Sequence, residues 1–239
     1  MANLKQDSVK SNIDFKRSDS IHSHVSPWLA RILYPLGGYL VLPFFFKKIV
    51  INGRQNIPKT GAILVAPTHR SRWDAVIVPT AVGKTVSKRD VHFMVTTNEV
   101  KGLQGWFIRH MGGFPVNTER PQIDSVLHSI DILQQDDKIL VIFPEGNIFR
   151  EDTIQPLKRG VASIALETKL KEPERDVNIL PVSIRYNERY PTWGTRVKVD
   201  IGSPLKVLSC DRKSLRSSSQ KLTKSLQARL QELYESQSA

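Results

Sequence analysis

The sequence predicts a single α/β domain with a largely buried sheet flanked by helices, preceded by an apolar segment suited to a membrane interface. Three observations predict this. The 239 residues suit one large domain. Val- and Ile-rich runs alternate with helix-length runs. The composition, 40% hydrophobic and 24% charged, is that of a globular protein and excludes a disordered, collagenous or polytopic chain.

Residues 1–26 are polar and mixed in charge, with Lys5, Asp7, Lys10, Asp14, Lys16, Arg17 and Asp19 and no apolar run after them. They read as a mobile tail rather than a signal peptide. Residues 27–46 are apolar but interrupted by Arg31, Pro35, Gly37, Gly38 and Pro43, and Lys47 and Lys48 follow at once. The length would just cross a bilayer. The interruptions favour two short helices in the interface, with Trp28, Tyr34 and Tyr39 at headgroup level. A helical hairpin buried in the core is the competing arrangement.

The α/β domain is expected over 47–210. Its strand candidates are Lys48–Asn52, Ala62–Pro67, Val91–Thr96, Lys138–Phe143, Val177–Ile184 and Thr195–Ile201. Helix candidates are Arg72–Val82, Leu103–Met111, Pro121–Gln134 and Pro156–Thr168. Over 211–239, Leu222, Leu226, Leu230 and Leu233 recur at helical spacing and predict an amphipathic helix docked on the domain.

Lysine and arginine number 35 against 23 acidic residues, a net charge of +12. Such a surplus attracts nucleic acid, anionic lipid or an acidic partner. No zinc-finger, RNP-type or helix-turn-helix pattern supports specific nucleic-acid binding. The lone Cys210 allows no intramolecular disulfide and has no evident base beside it, so it reads as structural.

Three segments end strands with small and polar residues. In the first, His69 follows strand Ala62–Pro67 and Asp74 stands five residues later. An imidazole titrating near neutrality suits proton removal from a hydroxyl, and a carboxylate fixes its tautomer. Asp74 as a helix cap is the plainer alternative. The second segment is Gly112–Arg120 and the third is Leu140–Asn147. Each combines Phe-Pro with glycine, which reads as turn chemistry or as a ligand cradle.

Together these blocks resemble the glycerolipid acyltransferase family, which includes the glycerol-3-phosphate and 1-acylglycerol-3-phosphate acyltransferases. His69-Arg70-Ser71-Arg72-Trp73-Asp74 is similar to its H-x-x-x-x-D block. Gly112–Arg120 resembles its second block, Phe143-Pro144-Glu145-Gly146 its third and Ile179–Ser183 its fourth, all in family order over about residues 45–205. The resemblance implies a mixed sheet and acyl transfer from acyl-CoA or acyl carrier protein to the hydroxyl of 1-acylglycerol-3-phosphate, giving phosphatidic acid. It implies no metal, no cofactor and no acyl-enzyme.

By the same resemblance His69 is the base and Asp74 orients it. Glu145 and Gly146 shape the acceptor site, Arg120 contacts its phosphate, and Lys158 adds to that contact. The third block departs from the family's Gly-Thr-Arg, reading Gly146-Asn147-Ile148, with Arg150 two positions later as a substitute. The second spaces Arg120 three residues from Asn117. The expected partners are membrane lipid and the acyl carrier, at the cytoplasmic face of a membrane, peripheral or monotopic. Two alternatives stand: acylation of another lysophospholipid or hydroxylated lipid, and a non-catalytic basic protein binding lipid or nucleic acid.

Overall fold

The computed structural model describes residues 23–100, 102–117 and 123–236. Its centre is an eight-stranded sheet of β1 (Lys48–Asn52), β2 (Ala62–Pro67), β3 (Asp90–Thr96), β4 (Gly113–Val116), β5 (Lys138–Val141), β6 (Val177–Tyr186), β7 (Arg196–Ile201) and β8 (Leu205–Lys206). The order is β1-β7-β6-β2-β5-β3-β4, and β8 pairs with β6. Strands β6, β2, β5, β3 and β4 run parallel, while β7 and β8 are antiparallel to β6. This is the mixed sheet that the resemblance implies.

The helices are α1 (Pro27–Pro35), α2 (Leu42–Phe45), α3 (Asp74–Val82), α4 (Lys84–Ser87), α5 (Gly102–His110), α6 (Ile123–Leu133), α7 (Gly160–Lys171) and α8 (Leu215–Glu235). Their placement follows from handedness. The crossover β2–α3–β3 and the next, β3–α5–β4, step in one direction across the sheet. Right-handed connections therefore place α3 and α5 on the same face. The steps through α6 and α7 go the other way and place those helices on the opposite face. The core divides accordingly. Ile63 and Val65 of β2 pack with Ile77, Val78 and Ala81 of α3. Ala62, Leu64 and Ala66 pack with α6, α7 and α8, where Leu226 and Leu230 carry the buried stripe of the terminal helix.

Chain connections leave β2 and its neighbour β5 in opposite directions, so a crevice opens beyond the C-terminal ends of these two strands. Such switch points are where open α/β sheets bind ligands.

The N-terminal segment differs from the expected pair of short helices. Between α1 and α2 the chain continues as a π-helical stretch, Leu36–Val41, giving one 19-residue rod, Pro27–Phe45. Widening to i→i+5 turns accommodates Pro35 and Pro43 without a break. Gly37 and Gly38 let the rod lie close on α3, where added Cβ atoms would meet Val76 at 3.2 Å and Thr80 at 3.5 Å. Only 17% of its apolar window is buried, so the rod is no core hairpin.

Residues 1–22 of the expected tail lie outside the described residues, but Ser23–Ser26 are fixed to the domain. The Ser26 amide donates to the His110 carbonyl (2.9 Å), and Val25 bridges to Met111. Ser23 Oγ bonds His92 Nδ1 (2.7 Å) and His128 Nε2 (2.8 Å). Burial, with Lys138, His128 and His24 nearby, pushes the His92 imidazole down to about 3. An unfolded histidine takes its proton near pH ~6.5. Stability from neutral, buried His92 is therefore complete above that pH and is lost as pH falls toward 3, by up to ~1.4 kcal/mol per unit. Urea midpoints measured from pH 7 to 4 should fall, and His92→Asn should flatten the decline. An equally steep decline in His92→Asn would assign it to other groups.

Candidate active site

The β2–β5 register builds the site. Leu64 lies beside Leu140 and Val65 beside Val141, and the same offset brings Glu145 level with His69. The His69 amide donates to Glu145 Oε2 (3.0 Å), and the Phe149 amide donates to the His69 carbonyl (2.9 Å). The two post-strand loops are thus sewn together beyond the sheet. The Phe143 ring stacks on the imidazole, with centroids 3.9 Å apart and planes 20° apart.

His69 Nδ1 lies 2.9 Å from Asp74 Oδ2. A carboxylate only accepts, so Nδ1 carries a proton, and in the neutral ring the lone pair is left on Nε2. Asp74 opens α3 and is fully buried. Its Oδ2 also accepts from the amides of Arg70 (2.7 Å) and Ser71 (2.9 Å). Its Oδ1 accepts from the Tyr186 hydroxyl (2.6 Å). Four donors hold the carboxylate in one orientation. Asp74 is the first residue of α3 but does not cap it: its carboxylate bonds no amide of the helix and instead holds the histidine.

Glu145 is 3% exposed, and all its charge is used internally. Oε2 accepts from Arg70 Nη1 (2.7 Å) as well as His69, and Oε1 accepts from the Gln155 amide (3.0 Å). Arg70 also donates to the carbonyls of Phe149 and Thr153. Glu145 therefore shapes the crevice by tying three loop segments together. This explains why α7 starts at Gly160 rather than Pro156: residues 153–158 are held against the Glu145 loop, and the Lys158 amide donates to the Pro144 carbonyl (2.8 Å).

Gly146 has φ +78°, and a Cβ there would lie 2.6 Å from Lys158 Cε and 2.8 Å from its Nζ. Glycine is required both for the left-handed turn and for laying the lysine across it. Lys158 thus joins the Gly146 side of the site. Arg150 sets its guanidinium 4.9 Å over the Tyr190 ring and lines, together with Arg70 and Tyr186, a cavity of about 340 Å³ beside the site. Arg120 lies outside the described residues. Among the described residues, no three histidine, cysteine or acidic side chains gather as a metal site.

Tyr186 and Arg70 are contributors that the sequence reading did not assign. Burial and the neighbouring Asp74 carboxylate hold the Tyr186 phenol protonated far above its usual range, so it remains a donor. Tyr186→Phe should lower turnover about tenfold, the worth of one hydrogen bond to a charged group, with KM values unchanged. Unaltered turnover would reduce the phenol to packing.

The fold and the site define an α/β protein with a carboxylate-held histidine at the sheet's switch point. A family model described as Acyltransferase matches residues 48–185. The 1-acyl-sn-glycerol-3-phosphate acyltransferase of Streptococcus pneumoniae (strain ATCC BAA-255 / R6) is 31% identical over 147 residues, 61% of this chain and 50% of that protein. The Bacillus subtilis (strain 168) protein of the same name is 30% identical over 118 residues, 49% of this chain and 56% of that one. The crystal structure of the 1-acyl-sn-glycerophosphate (LPA) acyltransferase of Thermotoga maritima shares the fold. Its TM-score is 0.57 at 21% identity, covering 83% of this chain and 78% of that one. The chain belongs to the acyltransferase family. It spans about half the length of the curated relatives it matches.

Proposed function

We propose that the protein transfers a fatty acyl group from a thioester donor, acyl-CoA or acyl carrier protein, to the free hydroxyl of 1-acylglycerol-3-phosphate, forming phosphatidic acid. The observation that carries this is the 2.9 Å bond from His69 Nδ1 to buried Asp74, which leaves Nε2 as the base. Nε2 takes the acceptor's hydroxyl proton as its oxygen attacks the thioester carbonyl. The tetrahedral intermediate collapses, the C–S bond breaks, and the departing thiolate recovers the proton from His69. Asp74 stabilises the imidazolium between these steps. No metal or acyl-enzyme is needed. The acceptor class is supported by the names of the relatives in Streptococcus pneumoniae and Bacillus subtilis.

The acceptor phosphate falls to Arg120, Lys158 and Arg150. A phosphate monoester needs several charge-assisted donors; Ile148 offers none, and Arg150, which lines a cavity with Arg70 and Tyr186, is the substitute for it. Arg120→Ala should raise the KM for a phosphorylated acceptor several-fold while leaving the donor KM unchanged. Turnover should fall less than in His69→Ala, because ground and transition states share the contact. An unchanged acceptor KM would remove Arg120 from the site. The same departure at Ile148 favours, as a second reading, acylation of another lysophospholipid or hydroxylated lipid.

The rod Pro27–Phe45 attaches the enzyme to the cytoplasmic face of a membrane as a peripheral or monotopic protein. Its exposed apolar surface and the lysines after it support this.

A further inference from the structure

The rod carries an outward stripe at four-residue intervals: Trp28, Ile32, Leu36, Leu40 and Phe44, between 40% and 69% exposed. On a regular α-helix such a stripe drifts about 40° per step. The wider π turns at Leu36–Val41 rotate less per residue and turn it back. A second, unrelated stretch presents the same kind of surface. Helix α5 exposes Leu103 (82%), Trp106 (44%) and Phe107 (42%) on one side. A third piece, Trp193 in the β6–β7 connection, is 63% exposed and sets its ring edge-on to Phe44 at 4.3 Å.

These pieces lie together. Handedness puts α5 on the α3 face of the sheet, and the rod packs on α3 through Gly37 and Gly38. The start of the rod is hydrogen-bonded to the end of α5, Ser26 to His110 and His24 to Arg109. We propose that α5 and Trp193 dock on the same anionic bilayer as the rod, so that this face of the domain, and not the N-terminal segment alone, is the membrane-binding surface. The inference rests on the reading that the rod meets a membrane.

Charge selects the bilayer over a second copy of the chain. Exposed Arg31, Lys47, Lys48 and Arg109 stand on the rod, at its end and at the end of α5. Pairing two such faces would oppose like charges in a chain of net charge +12. Anionic headgroups complement them, and tryptophans suit the interfacial depth. Apolar surface of this extent is rarely left open on a soluble monomer. The consequence for the reaction is positional. Phe45 at the rod's end packs on Trp73 at 4.4 Å, next to Asp74, so the His69 crevice meets the bilayer where a lipid acceptor resides.

The test uses the full chain and vesicles containing phosphatidylglycerol with brominated acyl chains. With Trp28, Trp73 and Trp193 each replaced by Phe, Trp106 is the sole tryptophan, and its emission should be quenched. A companion protein retaining only Trp28 reports the rod. The triple variant Leu103→Ser, Trp106→Ser, Phe107→Ser should partition to vesicles at least about tenfold more weakly with an unchanged circular dichroism spectrum. Quenching of Trp28 but not Trp106 overturns the inference and leaves the rod's membrane contact standing. Failure of the full chain to bind vesicles sinks both. A dimer without vesicles that the triple variant converts to monomer would assign the face to a second copy.

Discussion

Replacing His69 with alanine is expected to lower acyl-transfer turnover by about 10²- to 10⁴-fold, the range for losing a general base, while the protein stays folded. The imidazole lies at the crevice, and its side chain retains 18% exposure. Its removal takes away one stacking contact with Phe143 and one bond to Asp74. Asp74 keeps three other donors, from Arg70, Ser71 and Tyr186, so no buried charge is stranded. Asp74→Asn should be impaired comparably. Its amide oxygen can still serve the Arg70 and Ser71 amides, but the charge that stabilises the imidazolium is gone. Steady-state rates on purified proteins, with circular dichroism as a folding control, check both. A His69→Ala protein turning over near the wild-type rate would refute the assigned base.

Glu145→Ala should be the most destabilising single change in the site. It strands the Arg70 guanidinium, which is 5% exposed, and leaves the His69 and Gln155 amides without their acceptor. Breaking one side of a buried ion pair costs about 3–5 kcal/mol. Glu145→Gln retains an acceptor oxygen and should lose less. Activity should fall with stability in Glu145→Ala, because the same carboxylate holds the backbone of His69. Urea denaturation decides: a loss under ~1 kcal/mol would mean that water replaces the carboxylate and that the clamp is not structural.

The fold is most legible in the sequence where its determinants are local. Strands β1 and β2 were expected at the residues they occupy, because continuous apolar runs bounded by glycine or proline leave little choice. His69 and Asp74 were legible because five residues bridge a strand end and the next helix start. The segment of strand β4 reads in sequence as turn chemistry or a ligand cradle, since Gly113 and Pro115 punctuate it. It pairs with β3 at the sheet's edge, where proline's missing donor is tolerated. The rod's continuity was hidden because the π turns absorb two prolines by a local widening that periodicity does not reveal. Tyr186 and Arg70 were unreadable for a different reason: their partners are 112 and 75 residues away, and only the sheet register joins them. Arg150 reads in sequence as the substitute for the arginine missing at Ile148, but its stacking on Tyr190 joins distant segments and is visible only in the fold.

The most direct test of the central claim is the initial rate of acyl transfer by the purified full chain in mixed micelles. Labelled acyl-CoA and acyl carrier protein would each be offered with 1-acylglycerol-3-phosphate, glycerol-3-phosphate or a neutral monoacylglycerol. The expected result is labelled phosphatidic acid from 1-acylglycerol-3-phosphate with at least one donor, much slower reaction of the neutral lipid, and loss of the product in His69→Ala. Neutral lipid reacting as fast as the phosphorylated one, or no transfer to any acceptor, would contradict it.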